Sequence, residues 1–142
     1  MAKNKKDDVT NKVDWIIHAV FPSDSDDYKM DSHTHGLNKH NHPELRIVLN
    51  LPQEVIGNML NGMGLDILKG ERFDESGIYT NILANKMRVQ IVRGYVGKDN
   101  CSTIIFPDPN GRLPGEPFCQ EPYKDQLKYL EEIKEDYIRK NL

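Results

Sequence analysis

The sequence is poor in cysteine, and the two it has, Cys101 and Cys119, are spaced neither as a CxxC metal knuckle nor as a disulfide framework. Both are expected to be reduced thiols that pack as small apolar groups. No apolar run approaches the roughly 18 residues of a membrane span. Lys3, Lys5 and Lys6 are not followed by the roughly 7–15 apolar residues of a signal peptide. The expectation is a cytoplasmic chain with no membrane attachment. Cations are not in excess: 19 Lys and Arg face 22 Asp and Glu, a net charge of −3. That argues against general nucleic-acid binding, which needs cations to neutralise phosphates, and leaves room for a local basic pocket. Familiar catalytic signatures are missing as well. There is no GxxxxGK[ST] loop, no GxGxxG after a strand, no HExxH and no GxSxG elbow.

What is present reads as one α+β domain. Residues 1–12 are polar and form a tail, 13–122 form the core, and 123–142 form an acidic amphipathic helix. Trp15–Phe21 is a strand stopped by Pro22, and Ser23–Asp27 is an acidic loop. Tyr28–His35 is a second strand ended by Gly36. Glu44–Leu51 is a third, with Leu45, Ile47, Leu49 and Leu51 on one face. After Pro52 the period changes. Val55, Ile56, Met59, Leu60, Met63 and Ile67 recur at helical spacing, and Gly70 is the stop. Strands are predicted again at Ile78–Leu83, Met87–Val96 and Ser102–Phe106, then a turn-rich loop at Pro107–Phe118. The final helix, Tyr123–Lys140, should turn Leu127, Leu130, Ile133 and Tyr137 inward and carry Glu135–Arg139 and Asp136–Lys140 pairs outside. Strands that do not alternate with helices predict a mostly antiparallel sheet, with one packed central helix and a C-terminal amphipathic helix.

One stretch stands out chemically. Four of the five histidines fall between His33 and His42. In a strand Asp31, His33 and His35 project from one face, and His40 and His42 are expected to fold back across the turn at Gly36. Imidazoles and a carboxylate in that set, Asp31, His33, His35, His40 and His42, suit Zn, Mn or Ni, and imidazole also suits acid–base work near neutral pH. The plainer account of the same residues is an exposed polar turn with two satisfied histidines. A second candidate is the Asp108–Pro114 loop. A tight turn explains Pro109, Asn110 and Gly111 and leaves Asp108 and Arg112 over. Arg112 either clamps an anion or pairs with Asp108 or Glu116. Arg88, Arg93 and Lys98 offer a further cationic run, on a strand where a solvent face is the plainer account.

The segments Thr34-His35-Gly36-Leu37, His42-Pro43-Glu44-Leu45, Leu51-Pro52, Leu60-Asn61, Gly70, Asp108-Pro109-Asn110-Gly111-Arg112-Leu113-Pro114, Tyr123 and Gln126, in that order, resemble the domain of unknown function 4262 family over about residues 13–127. That family comprises small bacterial and phage proteins with no established activity. The resemblance implies a compact domain and supplies no mechanism. Its phage members suggest a phage- or defence-related role in a host cytoplasm. Many members carry an aromatic and a small apolar residue where this chain has His33 and His35, so chemistry resting on those histidines would belong to one branch.

The leading functional expectation is binding of a small anionic or nucleotide-like ligand in a pocket of His33, Thr34, His35, Asp108 and Arg112. Competing with it are a divalent-metal hydrolase built on His33, His35, His40 and His42, with Asp31 or Glu44 as ligand or base, and a protein–protein interaction module using the C-terminal helix. The sequence assigns no catalytic residue and leaves a homodimer open.

Overall fold

The computed structural model describes residues 13–21 and 27–141. The polar tail at 1–12 and all of the acidic loop but Asp27 lie outside the described residues. Six strands form one sheet: β1 (Ile16–Val20), β2 (Lys29–His35), β3 (Glu44–Leu49), β4 (Gly77–Tyr79), β5 (Val89–Val96) and β6 (Asp99–Ile105). Their order is β1-β2-β3-β6-β5-β4. Every neighbouring pair is antiparallel except β3 and β6, which run parallel with Leu45 opposite Ser102. The long helix α1 (Gln53–Leu68) follows β3, and α2 (Gln126–Lys140) ends the described chain. The architecture is α+β, with a mostly antiparallel sheet.

The two helices take opposite faces, which explains why β3 is buried at every position and β2 at all but His35. On one side Ile56, Leu60, Met63 and Ile67 of α1 reach the sheet, the stripe expected from their spacing. Trp15 lies against α1 at Gly64, where a Cβ would sit 2.8 Å from Trp15 Cη2, and its indole N–H donates to Asn61 Oδ1 at 2.8 Å. On the other side Tyr129, Leu130 and Ile133 of α2 join the same core cluster.

Three expectations shift. The rotation of α2 buries Tyr129 where Leu127 was expected. Gln126 sets that rotation: its side chain accepts from Phe106 N at 2.8 Å and donates to Phe106 O at 2.7 Å, fixing the first turn on the end of β6. On the outer side Asp136 pairs with Arg139 at 3.0 Å, three residues away, in place of the four-residue pairs expected. The strand predicted at Ile78–Leu83 is only three residues long. A 3-10 turn at Ala84–Lys86, with left-handed φ at Asn85 and Lys86, carries the chain away from the sheet edge. No helix of the described residues is long and apolar enough to cross a membrane.

Candidate functional site

Strand periodicity puts Asp31, His33 and His35 on one face of β2, the face covered in part by α2. His18 joins them from β1, where it pairs with His33. The His18 and His33 rings stack with centroids 5.5 Å apart, and His18 meets His35 edge-on at 5.5 Å. His40 and His42 go elsewhere. Gly36, at φ 125°, leads into a 3-10 turn, Leu37–His40, that carries the chain onward to β3 instead of back over β2. His40 Nε2 lies 2.7 Å from an Asp14 carboxylate oxygen. His42 accepts the Phe73 N–H at Nε2 (2.9 Å), so its proton sits on Nδ1 and is donated to Pro43 O at 2.8 Å. Burial disfavours its charged form and lowers its pKa. The five residues expected to share one metal therefore occupy three places. Among the described residues no group of three or more His, Cys, Asp or Glu is arranged to hold a metal ion.

Thr34 and Glu44 are consumed by the turn. The buried Glu44 carboxylate accepts from Thr34 Oγ1 (2.8 Å) and from the N–H groups of Gly36, Leu37 and Asn38 at 3.0–3.2 Å. Thr34 Oγ1 also accepts from Leu45 N at 2.9 Å. Four donors on one carboxylate make Glu44 the anchor of the turn and leave it no free lone pair aimed at a substrate.

Asp31 belongs to a buried charged network that the sequence did not disclose. Its partner is Arg46, in the middle of the apolar run of β3 and fully buried. Arg46 Nε donates to Asp31 Oδ1 at 2.7 Å, Nη1 to Cys101 Sγ at 3.0 Å and Nη2 to the Tyr137 hydroxyl at 3.4 Å. Tyr137 in turn donates to Asp31 Oδ2 at 2.8 Å. Burial opposes the Asp31 charge, but the hydrogen bond with His33 and the Arg46 cation outweigh it and hold the carboxyl below its usual range. Burial, aided by Asp31, pushes the Tyr137 hydroxyl to about 12. The Cys101 thiol is pushed to about 11, again chiefly by burial, so it is no nucleophile at neutral pH. The one clue in the sequence was an arginine inside Leu-Arg-Ile-Val-Leu, a placement that requires a buried acid nearby.

Asp108 and Arg112 sit beyond the C-terminal end of β6, whereas His33 and His35 lie toward the end of the sheet where β6 begins. The parallel register of β3 and β6 separates them, so the expected pocket of His33, Thr34, His35, Asp108 and Arg112 is not assembled. Asp108 ties its own loop, accepting from the N–H groups of Asn110, Arg112 and Gln120 at 2.9–3.0 Å. Burial opposes its charge, and these donors outweigh it and keep the carboxyl below its usual range. Arg112 pairs with neither Asp108 nor Glu116 through its side chain. Its guanidinium lies 6.0 Å from the centre of the Phe118 ring, and Glu116 is taken by Arg88 at 2.6 Å.

A polar cleft of about 390 Å³ lies at the end of the sheet where β3 and β6 begin. Three segments build it: Asn38–Glu44 with the 3-10 turn, Arg72 and Asp74 after α1, and Arg93 with Lys98–Asn100 of the β5–β6 hairpin. Arg72 donates to Asp74 Oδ2 at 2.6 Å and to Asn41 O at 2.8 Å. Arg93 donates to Asn100 Oδ1 at 2.8 Å and to Asp74 O at 2.6 Å. These bonds occupy Asp74 Oδ2, Asn100 Oδ1 and the Asn41 and Asp74 carbonyls. Among the described residues they leave donors over on Arg72 Nη1, Arg93 Nη2 and the Asn38, Asn41 and Asn100 amides, while the Asp99 carboxylate also borders the cleft. Lys98 Nζ makes no hydrogen bond or ion pair with a described residue.

Comparison with known proteins adds the family. The model of a domain of unknown function, DUF4262, matches residues 10–99. The chain belongs to the DUF4262 family. No curated protein and no solved structure matches it. The DUF4262 match spans every cleft residue except Asn100 and also takes in His18, Asp31, His33 and Arg46. The Asp108–Pro114 loop and α2 fall outside it.

Proposed function

We propose that this domain is a binding protein for a small anionic, nucleotide-like ligand, held in the cleft of Arg72, Arg93, Lys98, Asn38, Asn41 and Asn100. The observation that carries this is the set of unused donors in the lining, on Arg72, Arg93, Lys98 and three asparagine amides. They stand beside a Glu44 carboxylate fully engaged by its turn and an Asp74 carboxylate bonded to Arg72, with Asp99 as the remaining acid of the lining. A phosphate offers several charged acceptor oxygens to such a set, and charge-assisted bonds are the strong ones. A cleft of about 390 Å³ is also within the size of small-molecule sites. Arg93 and Lys98 supply the cationic role that the sequence pattern first suggested for Arg112. The metal-hydrolase alternative gains no support, since the five side chains it requires are dispersed.

Lys98 gives the clean test, because its ammonium bonds to none of the described residues. Isothermal titration with inorganic phosphate, AMP, ADP and a sugar phosphate should detect binding by the unaltered protein. Lys98→Ala should weaken that binding about tenfold, and raised salt should weaken it further, with an unchanged melting temperature for the variant. No heat and no thermal shift across the panel would refute the assignment.

A further inference from the structure

The cleft has a wall that reaches it from the far side of the sheet. The β5–β6 hairpin turns at Gly97, next to Lys98, with φ 61°. A Cβ on Gly97 would lie 2.9 Å from Tyr137 Cδ1, so the Tyr137 ring bears directly on the turn. Tyr137 is itself held at both ends. Its hydroxyl is bonded to Asp31 and Arg46, and the Arg46 guanidinium lies 5.5 Å from its ring centre. Arg46 reaches Cys101, whose Sγ is 3.5 Å from the Asp99 carbonyl in the same hairpin. Two paths from α2 thus end on the segment that carries Lys98, Asp99 and Asn100 into the cleft.

We propose that Tyr137 is a positioning residue for the cleft, its ring clamping the hairpin so that the C-terminal helix sets the affinity for anions. This rests on the binding role of the cleft given above. The ring supplies the contact with Gly97, and the hydroxyl supplies stability to the Asp31–Arg46 network, so the two parts separate experimentally.

Inorganic phosphate titrations and amide hydrogen exchange are measured on the full chain with Tyr137→Ala and Tyr137→Phe. Tyr137→Ala should weaken phosphate binding about tenfold and speed exchange at Gly97–Asn100. Tyr137→Phe keeps the ring and should bind within about twofold of the parent, although it melts lower. Should Tyr137→Ala not fold, Tyr137→Leu, which keeps apolar bulk on the helix but removes the ring from Gly97, is read in the same way. Unchanged exchange at Gly97–Asn100, or faster exchange with undiminished phosphate binding, overturns the clamp while leaving the cleft assignment standing. Absence of phosphate binding by the parent protein sinks the cleft assignment, and with it the link to affinity.

Discussion

Replacing Arg46 by methionine tests the energetics of the buried network. The substitution keeps length and apolar bulk but removes the 2.7 Å bond to Asp31 and the contacts to Cys101 and Tyr137. Asp31 is left buried with Tyr137 and His33 as its partners. Breaking one side of a buried pair costs about 3–5 kcal/mol, because the remaining charge is uncompensated. A domain of this size is stable by on the order of 10 kcal/mol, so the loss is a large fraction. At roughly 3 °C per kcal/mol the melting temperature should fall by about 10–15 °C. Urea unfolding followed by far-UV circular dichroism measures the change.

The pH dependence gives the sharper check. In the parent protein the folded pKa of Asp31 is depressed. Its contribution is therefore complete above the unfolded carboxylate pKa, about 3.9, and is lost only as pH falls through the lower folded value. Without Arg46, burial raises the folded pKa above the unfolded one. The penalty then applies at neutral pH and is relieved as the carboxyl takes up a proton. The deficit of Arg46→Met should shrink between pH 7 and pH 4.5, and adding Asp31→Asn should recover about 1–3 kcal/mol at pH 7. A deficit below about 1 kcal/mol, or one that does not change with pH, would refute the assignment of a buried, charged Asp31–Arg46 pair.

Glu44→Gln replaces one carboxylate oxygen by an amide N–H that faces backbone donors of the 3-10 turn. A loss of about 2–4 kcal/mol is expected, together with faster amide exchange at Gly36, Leu37 and Asn38, both read against the parent in urea titrations and exchange experiments. Gly64→Ala gains about 1 kcal/mol of helix propensity but drives a methyl group into the Trp15 ring. A net loss of about 1–2 kcal/mol is expected from overpacking, with red-shifted emission from Trp15, the single tryptophan.

Local patterns were legible, and their assembly was not. Period-two alternation placed Asp31, His33 and His35 together, and helical spacing identified the α1 stripe, because both depend only on neighbours along the chain. The tight turn at Asp108–Gly111 is equally local. His18 was invisible as a member of the histidine patch, since its place depends on the β1–β2 register. Arg46 needed an acid from β2 to make sense inside an apolar run. The cleft draws on three segments separated by α1 and by β4, and Arg72 sits in a coil that carries no pattern. The dispersal of His40 and His42 followed from Glu44, whose carboxylate directs the turn forward through backbone N–H groups that no side-chain spacing reveals.

The parallel pairing of β3 with β6 ties two locally connected hairpin systems together through strands that are remote in sequence. Loop closure must be completed before this pairing returns any stabilisation, so formation of the full sheet waits on the last strand made. The family match stops at residue 99, before nearly all of that strand. A fragment ending there would leave the inner edges of both β3 and β5, which pair with β6, without their partner. It should aggregate rather than fold.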